Sequence, residues 1–212
     1  LIRSGLVPTV CLNEIFRQAA RSLIVENAHH IISSEPLQKG GRTDDFFFLE
    51  SDGDAARKLV CDLVTTRLPR SYGFDPIRDI QVLCPTKLGP TGTQALNVEL
   101  QNLLNPEQKG KPQLQSASRV FRVGDKVMQV RNNYEIIWNR IGGEQGVGAY
   151  NGDIGIVESI NPRDRSMVVR MDDRRLIYPA ENLGELEIAY AITVHKSQGS
   201  EFPAVILPVA QD

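Results

Sequence analysis

With 212 residues, 41% hydrophobic and 24% charged, and a formal net charge of −2, the chain has the composition of an ordinary globular protein rather than a disordered or fibrous one. The near-neutral balance excludes binding of nucleic acid by bulk basicity, and no apolar run approaches the roughly 20 residues that span a bilayer. Three widely spaced cysteines, Cys11, Cys61 and Cys84, fit buried thiols in a reducing cytoplasm, not a disulfide framework or a metal centre. Charge is unevenly spread: residues 119–175 carry 10 basic against 8 acidic side chains, whereas residues 176–212 carry 1 against 5. Any site for a polyanion therefore relies on local contacts. No signal peptide is visible, and a chain that opens on Leu1 reads as a piece of a longer protein.

Residues 8–12 read as a short buried strand. They lead through residues 13–20 into a helix-period segment with Leu23, Ile24, Ala28, Ile31 and Ile32, which Pro36 must end. Residues 38–45 are a Gly-rich polar connection, and residues 46–49, Phe-Phe-Phe-Leu, read as a strand. Residues 51–54 resemble a capping box for a helix bearing Ala55, Ala56, Leu59, Val60, Leu63 and Val64, closed by Pro69. A further buried strand spans residues 79–84, and the alternation is the βαβ pattern of a parallel sheet.

The loop at 85–94 leads into a helix with Leu96, Leu100 and Leu103. A turn alone explains Pro90 and Gly92; alternatively Thr86, Lys87 and Thr93, with backbone amides left accessible by glycine, make a phosphate cradle. It is not a nucleotide P-loop, because no Gly-Lys-Ser/Thr follows. After a polar linker at 105–118, short strands at 125–130, 153–159, 166–171 and 174–178 suggest a small SH3-like barrel. Asn151-Gly152 and Asp172-Asp173 mark its turns, and the Gly-rich segment 132–150 reads as a flexible excursion. Arg163, Arg165, Arg170, Arg174 and Arg175 form either a basic edge or, as the interspersed Asp164, Asp172 and Asp173 favour, a solvated hairpin surface.

Residues 187–192 read as one strand and residues 204–207 as a run buried on both faces of a parallel sheet. The ten residues between them predict about two turns of helix, capped by Thr193 and closed by Gly199. In open α/β sheets the carboxyl end of a strand, opening onto a helix N-terminus, is where phosphorylated ligands sit. Singly, His195, Lys196 and Gly199 have bland readings as solvated residues or a C-cap. A hydroxyl, imidazole, amine, amide and carboxylate within nine positions, framed by two strands, are less easily dismissed.

The string Thr193-Val-His-Lys-Ser-Gln-Gly-Ser-Glu-Phe202 resembles motif V of the RecD/TraA-type superfamily 1 DNA helicases. Glu14-Ile-Phe-Arg-Gln-Ala19 resembles their motif IV, and the Pro-Thr-Lys-x-Gly-x-x-Gly-x-x-x-Leu-Asn string from Pro85 resembles a loop that lies along their DNA strand. The resemblance implies an α/β fold: a RecA-like parallel sheet with helices on both faces, interrupted by a small SH3-like β-barrel. Residues 1–118 and 185–212 would form the second RecA-like domain and residues 119–184 the inserted module. Arg17 would be the catalytic arginine at the ATP phosphates, with Gln18, Gly199 and Glu201 also at nucleotide. Thr86, Lys87, Thr93, Thr193, His195 and Lys196 would face single-stranded DNA, the sides of Lys196 and Gln198 being the least defined.

By the same resemblance the whole protein would be an ATP-dependent helicase moving 5′ to 3′ in the cytoplasm, away from membranes, with possible helicase-nuclease partner subunits. ATP and Mg2+ would be bound mainly by an upstream RecA-like domain, since the chain has no Gly-x-x-x-x-Gly-Lys-Ser/Thr and no acidic pair after a strand. The family's final arginine-bearing motif is also missing, and the chain alone is expected to hydrolyse no ATP. Competing readings are a non-catalytic protein- or DNA-binding module and a part of a conjugative relaxase-helicase.

Overall fold

The computed structural model describes residues 22–41, 43–140 and 142–209, together with positions 4, 6, 8 and 10. Two compact units, Leu1–Glu50 and Ser51–Asp212, divide it. In the first, helix α1 (Leu23–Ser33) begins at Ser22, whose hydroxyl accepts from the Val25 amide and donates to Asp45 at 2.5 Å. Asp45 also accepts from the Leu23 amide at 2.9 Å, so a carboxylate caps the positive end of the helix. The following polar connection is not loose: buried Asn27 exchanges two hydrogen bonds with the backbone of Gln38. The strand expected at 46–49 does not form, for no neighbouring strand pairs with it among the described residues and Phe47, Phe48 and Leu49 stay exposed. The strand expected at 8–12 and the motif carrying Arg17 and Gln18 lie outside the described residues, apart from Pro8 and Val10, which are in no strand.

The second unit opens with helix α2 (Gly53–Asp62), which continues through a π-helical turn (Leu63–Arg67) into α3 (Leu68–Tyr72). Pro69 therefore does not end the helix. It sits in the first turn of α3, where a missing N–H costs little, and the chain stops at Gly73 with φ 75°. The wider π turn, in which the Leu68 amide reaches the Leu63 carbonyl, absorbs the misfit. Nor does the capping box form: Asp52 makes no side-chain hydrogen bond to the helix.

Strand β1 (Ile80–Cys84) and helix α4 (Thr93–Leu104) follow, then a hairpin of β2 (Gln113–Ser116), inside the expected linker, and β3 (Arg119–Arg122), just after it. Strands β4 (Lys126–Gln129), β5 (Asn133–Arg140), β6 (Gln145–Ala149), β7 (Ile154–Asn161), β8 (Ser166–Met171), β9 (Arg174–Tyr178) and β10 (Leu186–Ile188) form one antiparallel sheet, in the order β10-β4-β7-β8-β9-β5-β6. It curls around a single core that includes Phe121, Val127, Met167, Leu176 and Tyr178, all at most 1% exposed. The segment 132–150 is thus an ordered hairpin and not an excursion. Gly146 is there because the Trp138 indole lies across it, so that a Cβ would come within 2.3 Å of the ring.

The chain then returns to β1. Strands β11 (Ala191–Thr193) and β12 (Ala204–Ile206) flank β1 in parallel, in the order β11-β1-β12, so the barrel is an insertion in an α/β unit. Ile80, Val82 and Cys84 face α2 and α4 through Val60, Val64, Leu96 and Leu100. Leu83 faces the other way, and among the described residues that face is covered by the barrel, through Met128, Val130 and Ile154, where a second helical layer was expected. Val205 and Leu207 are about half exposed, so β12 is here an edge and not a strand buried on both faces. No described helix is long and apolar enough to cross a membrane.

Residues 187–192 are two strands, not one. β10 belongs to the barrel and β11 to the parallel sheet, and the passage takes only Ala189 and Tyr190. The Gln81 side-chain amide donates to both of their carbonyls, at 3.2 and 3.1 Å. The Ala189 amide donates to the Lys126 carbonyl, and the Tyr190 hydroxyl donates to Asp125 at 2.9 Å. Fully buried Asp125 also accepts from the Asn105 and Gln101 side chains, both at 2.6 Å, and from the Arg122 amide at 2.7 Å. Burial pushes its pKa up, and these hydrogen bonds oppose the rise.

Asp125→Asn would turn one of two oxygens, each accepting from two donors, into a donor. We expect a loss of about 1–3 kcal/mol despite the removed charge, read as a lower urea midpoint at unchanged slope. Nearby, buried Lys126 donates to the Ile80 carbonyl at 3.2 Å, and burial lowers its pKa to about 8, against Asp75 and Asp79. A lysine whose folded pKa lies below its unfolded one destabilises fully under pH 8, and the penalty fades as pH rises toward 10.5. Relative to Lys126→Met, the wild-type protein should therefore gain up to about 3 kcal/mol between pH 7 and pH 10.5, measured as the change in their difference in urea stability.

Candidate nucleic-acid interface

The register of two parallel strands builds the site. Cys84 of β1 lies beside Thr193 of β11, so the loop 85–92 and the segment from Val194 leave the same end of the sheet as neighbours. That is the carboxyl end, where α/β sheets present ligand-binding loops. Of the residues singled out in the sequence, Thr86, Lys87 and His195 are exposed there, with Thr193 and Lys196 half-buried.

The loop 85–92 holds itself. The amides of Gly92, Thr93 and Gln94 donate to the carbonyls of Gly89, Thr86 and Lys87, and the Thr86 hydroxyl donates to the Leu88 carbonyl at 2.9 Å. The backbone cradle expected from glycine is thus already satisfied internally. Thr93 is buried as the first residue of α4, and what the loop offers outward is the Lys87 ammonium. Gly92 is required by close approach: a Cβ there would meet the Leu88 carbonyl oxygen at 2.3 Å.

After Thr193 the chain makes a short 3-10 turn (Val194–Ser197), not two helical turns, and Thr193 provides no side-chain cap. Ser197 donates to the Val194 carbonyl instead, and Gly199 reverses the chain at φ 86°. The far end is anchored by Phe202, which packs with Leu83, Ile192 and Met128 and lies 5.9 Å from the Lys126 ammonium. Glu201 lines a cleft of about 280 Å3 with Asp153, Asp172 and Arg174 of the barrel. Hence the segment runs between sheet and barrel, Thr193 and His195 at one end and Glu201 at the other. Arg17 and Gln18 lie outside the described residues, so the crevice expected to join Arg17 to Glu201 is not among the features described.

Lys196 does not project freely. Its ammonium donates to Glu187 at 2.9 Å, and the other Glu187 oxygen accepts from Arg119 at 3.0 Å. Burial alone would raise the Glu187 pKa, but the Lys196 hydrogen bond and the charges of Lys196, Arg119 and Lys87 outweigh it and hold the carboxyl below its usual range. On the barrel's far hairpins two of the arginines are also matched. Arg175 forms a two-point pair with Glu158 at 2.7 Å, and Arg174 meets Asp153 at 3.4 Å, as the solvated-surface reading of that edge expects.

Two residues that set the geometry escaped the sequence reading. Asn97 of α4 donates to the Ala191 carbonyl and accepts from the Ala191 amide, both at 2.8 Å, which ties the helix after one loop to the strand before the other. Gln81 is fully buried yet polar. The one signal in the sequence was position: Asn97 closes the Pro-Thr-Lys string already singled out.

Known proteins share this arrangement in sequence. The family described as "ATP-dependent RecD-like DNA helicase SH3 domain" matches residues 96–171, and that of the "UvrD-like helicase C-terminal domain" matches residues 188–212. By these matches the chain is similar to the RecD-like DNA helicases, with an SH3-like insertion in an α/β unit.

More particularly, it is 31% identical over 199 residues to the ATP-dependent RecD2 DNA helicase of Deinococcus radiodurans, covering 94% of this chain and 24% of that protein. It is 29% identical over 132 residues to the RecBCD enzyme subunit RecD of Mycobacterium tuberculosis H37Rv, covering 62% and 20%. The chain therefore spans a quarter or less of the length of these relatives. Among solved structures, Bacteroides Pif1 bound to ssDNA aligns with a TM-score of 0.36 and 18% identity over 76% of this chain and 44% of that one, too slight a likeness to bear on the fold.

Asn97→Ala would strand the Ala191 amide and carbonyl. The expected cost is about 1–3 kcal/mol in urea unfolding, with hydrogen exchange at the Ala191 amide accelerated relative to β1.

Proposed function

We propose that this chain is the second RecA-like domain of an ATP-dependent DNA helicase that translocates on single-stranded DNA, with residues 119–184 inserted as its barrel module. The Cys84–Thr193 register carries this reading, because it sets the Lys87 loop and the His195 segment side by side on one rim. In this reading Thr86, Lys87, Thr193, His195 and Lys196 belong to the track, with Lys87 and His195 its most exposed basic side chains, while buried Thr93 supports the loop from behind. Gly199 and Glu201, at the other end of the same segment, serve the nucleotide together with Gln18. Arg17 stabilises charge on the transferring phosphoryl group, a role worth about 10³–10⁵ in rate where it occurs.

ATP and Mg2+ are held mainly by a preceding RecA-like domain of the same protein, in a cleft of which this chain forms one wall. Direction 5′ to 3′ and assembly with helicase-nuclease subunits follow from the motif resemblance alone; one relative is named as a subunit of the RecBCD enzyme. Because one ten-residue segment meets both ligands, closure of the cleft displaces the strand.

The test is single-strand binding by the full-length protein, measured by fluorescence anisotropy across a salt series. Lys87→Ala should weaken binding and flatten the log–log salt slope by about 0.7, the value for one lost phosphate contact. His195→Ala should weaken binding with a smaller change of slope. If both variants keep their fold and bind like wild type, the track does not run here.

A further inference from the structure

Three cations from three separate segments converge on one carboxylate. Lys196 follows β11, Arg119 lies on β3 and Lys87 lies in the loop after β1; the first two touch Glu187 directly, and the third is near enough to help ionise it. Arg119 is aimed by a second bond, from its other terminal nitrogen to the Leu186 carbonyl at 3.2 Å. Side-chain exposures of 21% for Lys196, 32% for Glu187 and 36% for Arg119 place the cluster at the surface, in partial contact with solvent. Without Glu187 it would be an anion site open to solvent.

We infer that Glu187 is a built-in stand-in for a DNA phosphate, occupying the Lys196–Arg119 pair in the free protein and yielding it to the backbone of the bound strand. This rests on the proposed helicase track, whose Lys87 and Lys196 it engages. A carboxylate and a phosphodiester each offer one negative charge over two oxygens, so the exchange needs no new donor geometry. Because Lys196, Glu187 and Arg119 all keep contact with solvent, the pair is screened and a competing anion can reach it without unfolding the barrel. Displacement makes binding weaker than the cations alone would give. Glu187 thus sets the affinity and salt dependence of the track.

The experiment uses the full-length protein and a labelled oligothymidine in the same salt series. Glu187→Gln keeps shape and removes charge. It should bind more tightly than wild type, with a salt slope steeper by about 0.7 for each cation freed, so that a tenfold drop in salt widens its advantage about fivefold per cation. Lys196→Met should flatten the slope more in the Glu187→Gln background than in wild type, a non-additivity that a brace would not produce. Equal or weaker binding by Glu187→Gln at unchanged slope, with an unaltered melting temperature, would show that Glu187 only orients Lys196 and would overturn the inference. If Glu187→Gln melts early, Lys196→Met in the wild-type background decides: a full loss of about 0.7 in slope means Lys196 was never sequestered. Should Lys87→Ala and His195→Ala both leave binding intact, the helicase-track reading itself fails. If they weaken it while Glu187→Gln has no effect, only the role of Glu187 falls.

Discussion

Everything at the rim depends on how two residues cross from one sheet to another. Between Ile188 and Ala191 the chain leaves an antiparallel barrel strand and enters a parallel one, and a slip of one residue would exchange the faces of β11. Thr193 would then lose its place beside Cys84. The slip is opposed by directional bonds that hydrophobic packing alone cannot supply: Gln81 to the carbonyls of 189 and 190, Asn97 to both backbone groups of 191, and Tyr190 to Asp125. Each of these groups would be costly to bury unpaired, so only the register that pairs them all is low in energy.

Asp125 extends that constraint from the crossing to the whole unit. Its four donors come from α4 and the residue after it, from the end of β3 and from the crossing itself, so one carboxylate joins the helix layer to the barrel. On the opposite side of β1, Phe202 and the buried Lys126 bind the far end of the 194–203 segment to the same barrel strand. The segment is therefore fixed at both ends, with its polar residues left in the middle and exposed. Rigid anchors under an exposed polar stretch are what positioning a flexible polymer demands, since lost side-chain freedom would otherwise oppose binding.

Much of this was legible in residue patterns. Strands at 166–171 and 174–178 were expected on either side of an Asp172-Asp173 turn, and the structure reproduces both spans, with Asp172 in the left-handed region at φ 52°. Local signals failed where the deciding contact was distant. The glycines of 142–148 suggested flexibility, yet Gly146 makes room for Trp138 and Gly148 for Tyr150. Residues 46–49 have strong strand propensity but lack a partner among the described residues, and propensity without a partner builds no sheet. Asp125, Gln81 and Asn97 look unremarkable in sequence because Tyr190, Ala189 and Ala191 lie 65 to 108 positions away. The catalytic half of the expected site, Arg17 and Gln18, falls outside the described residues, so the nucleotide side rests on Gly199 and Glu201.

The electrostatics follow from the same economy. A chain with net charge −2 has no broad positive field to hold a polyanion, so a few cations placed by the fold must serve. Several arginines of the barrel are paired with acids, as Arg175 is with Glu158 and Arg140 with Glu144 and Asp173. Lys87 is different: it stands on a loop braced by the amides of Gly92, Thr93 and Gln94, and no ion pair engages it among the described residues. Binding that depends on so few cations is shallow in salt and weak per site. On the proposed helicase track such contacts would be weak and reversible, and Glu187, placed among the cations, would keep them so.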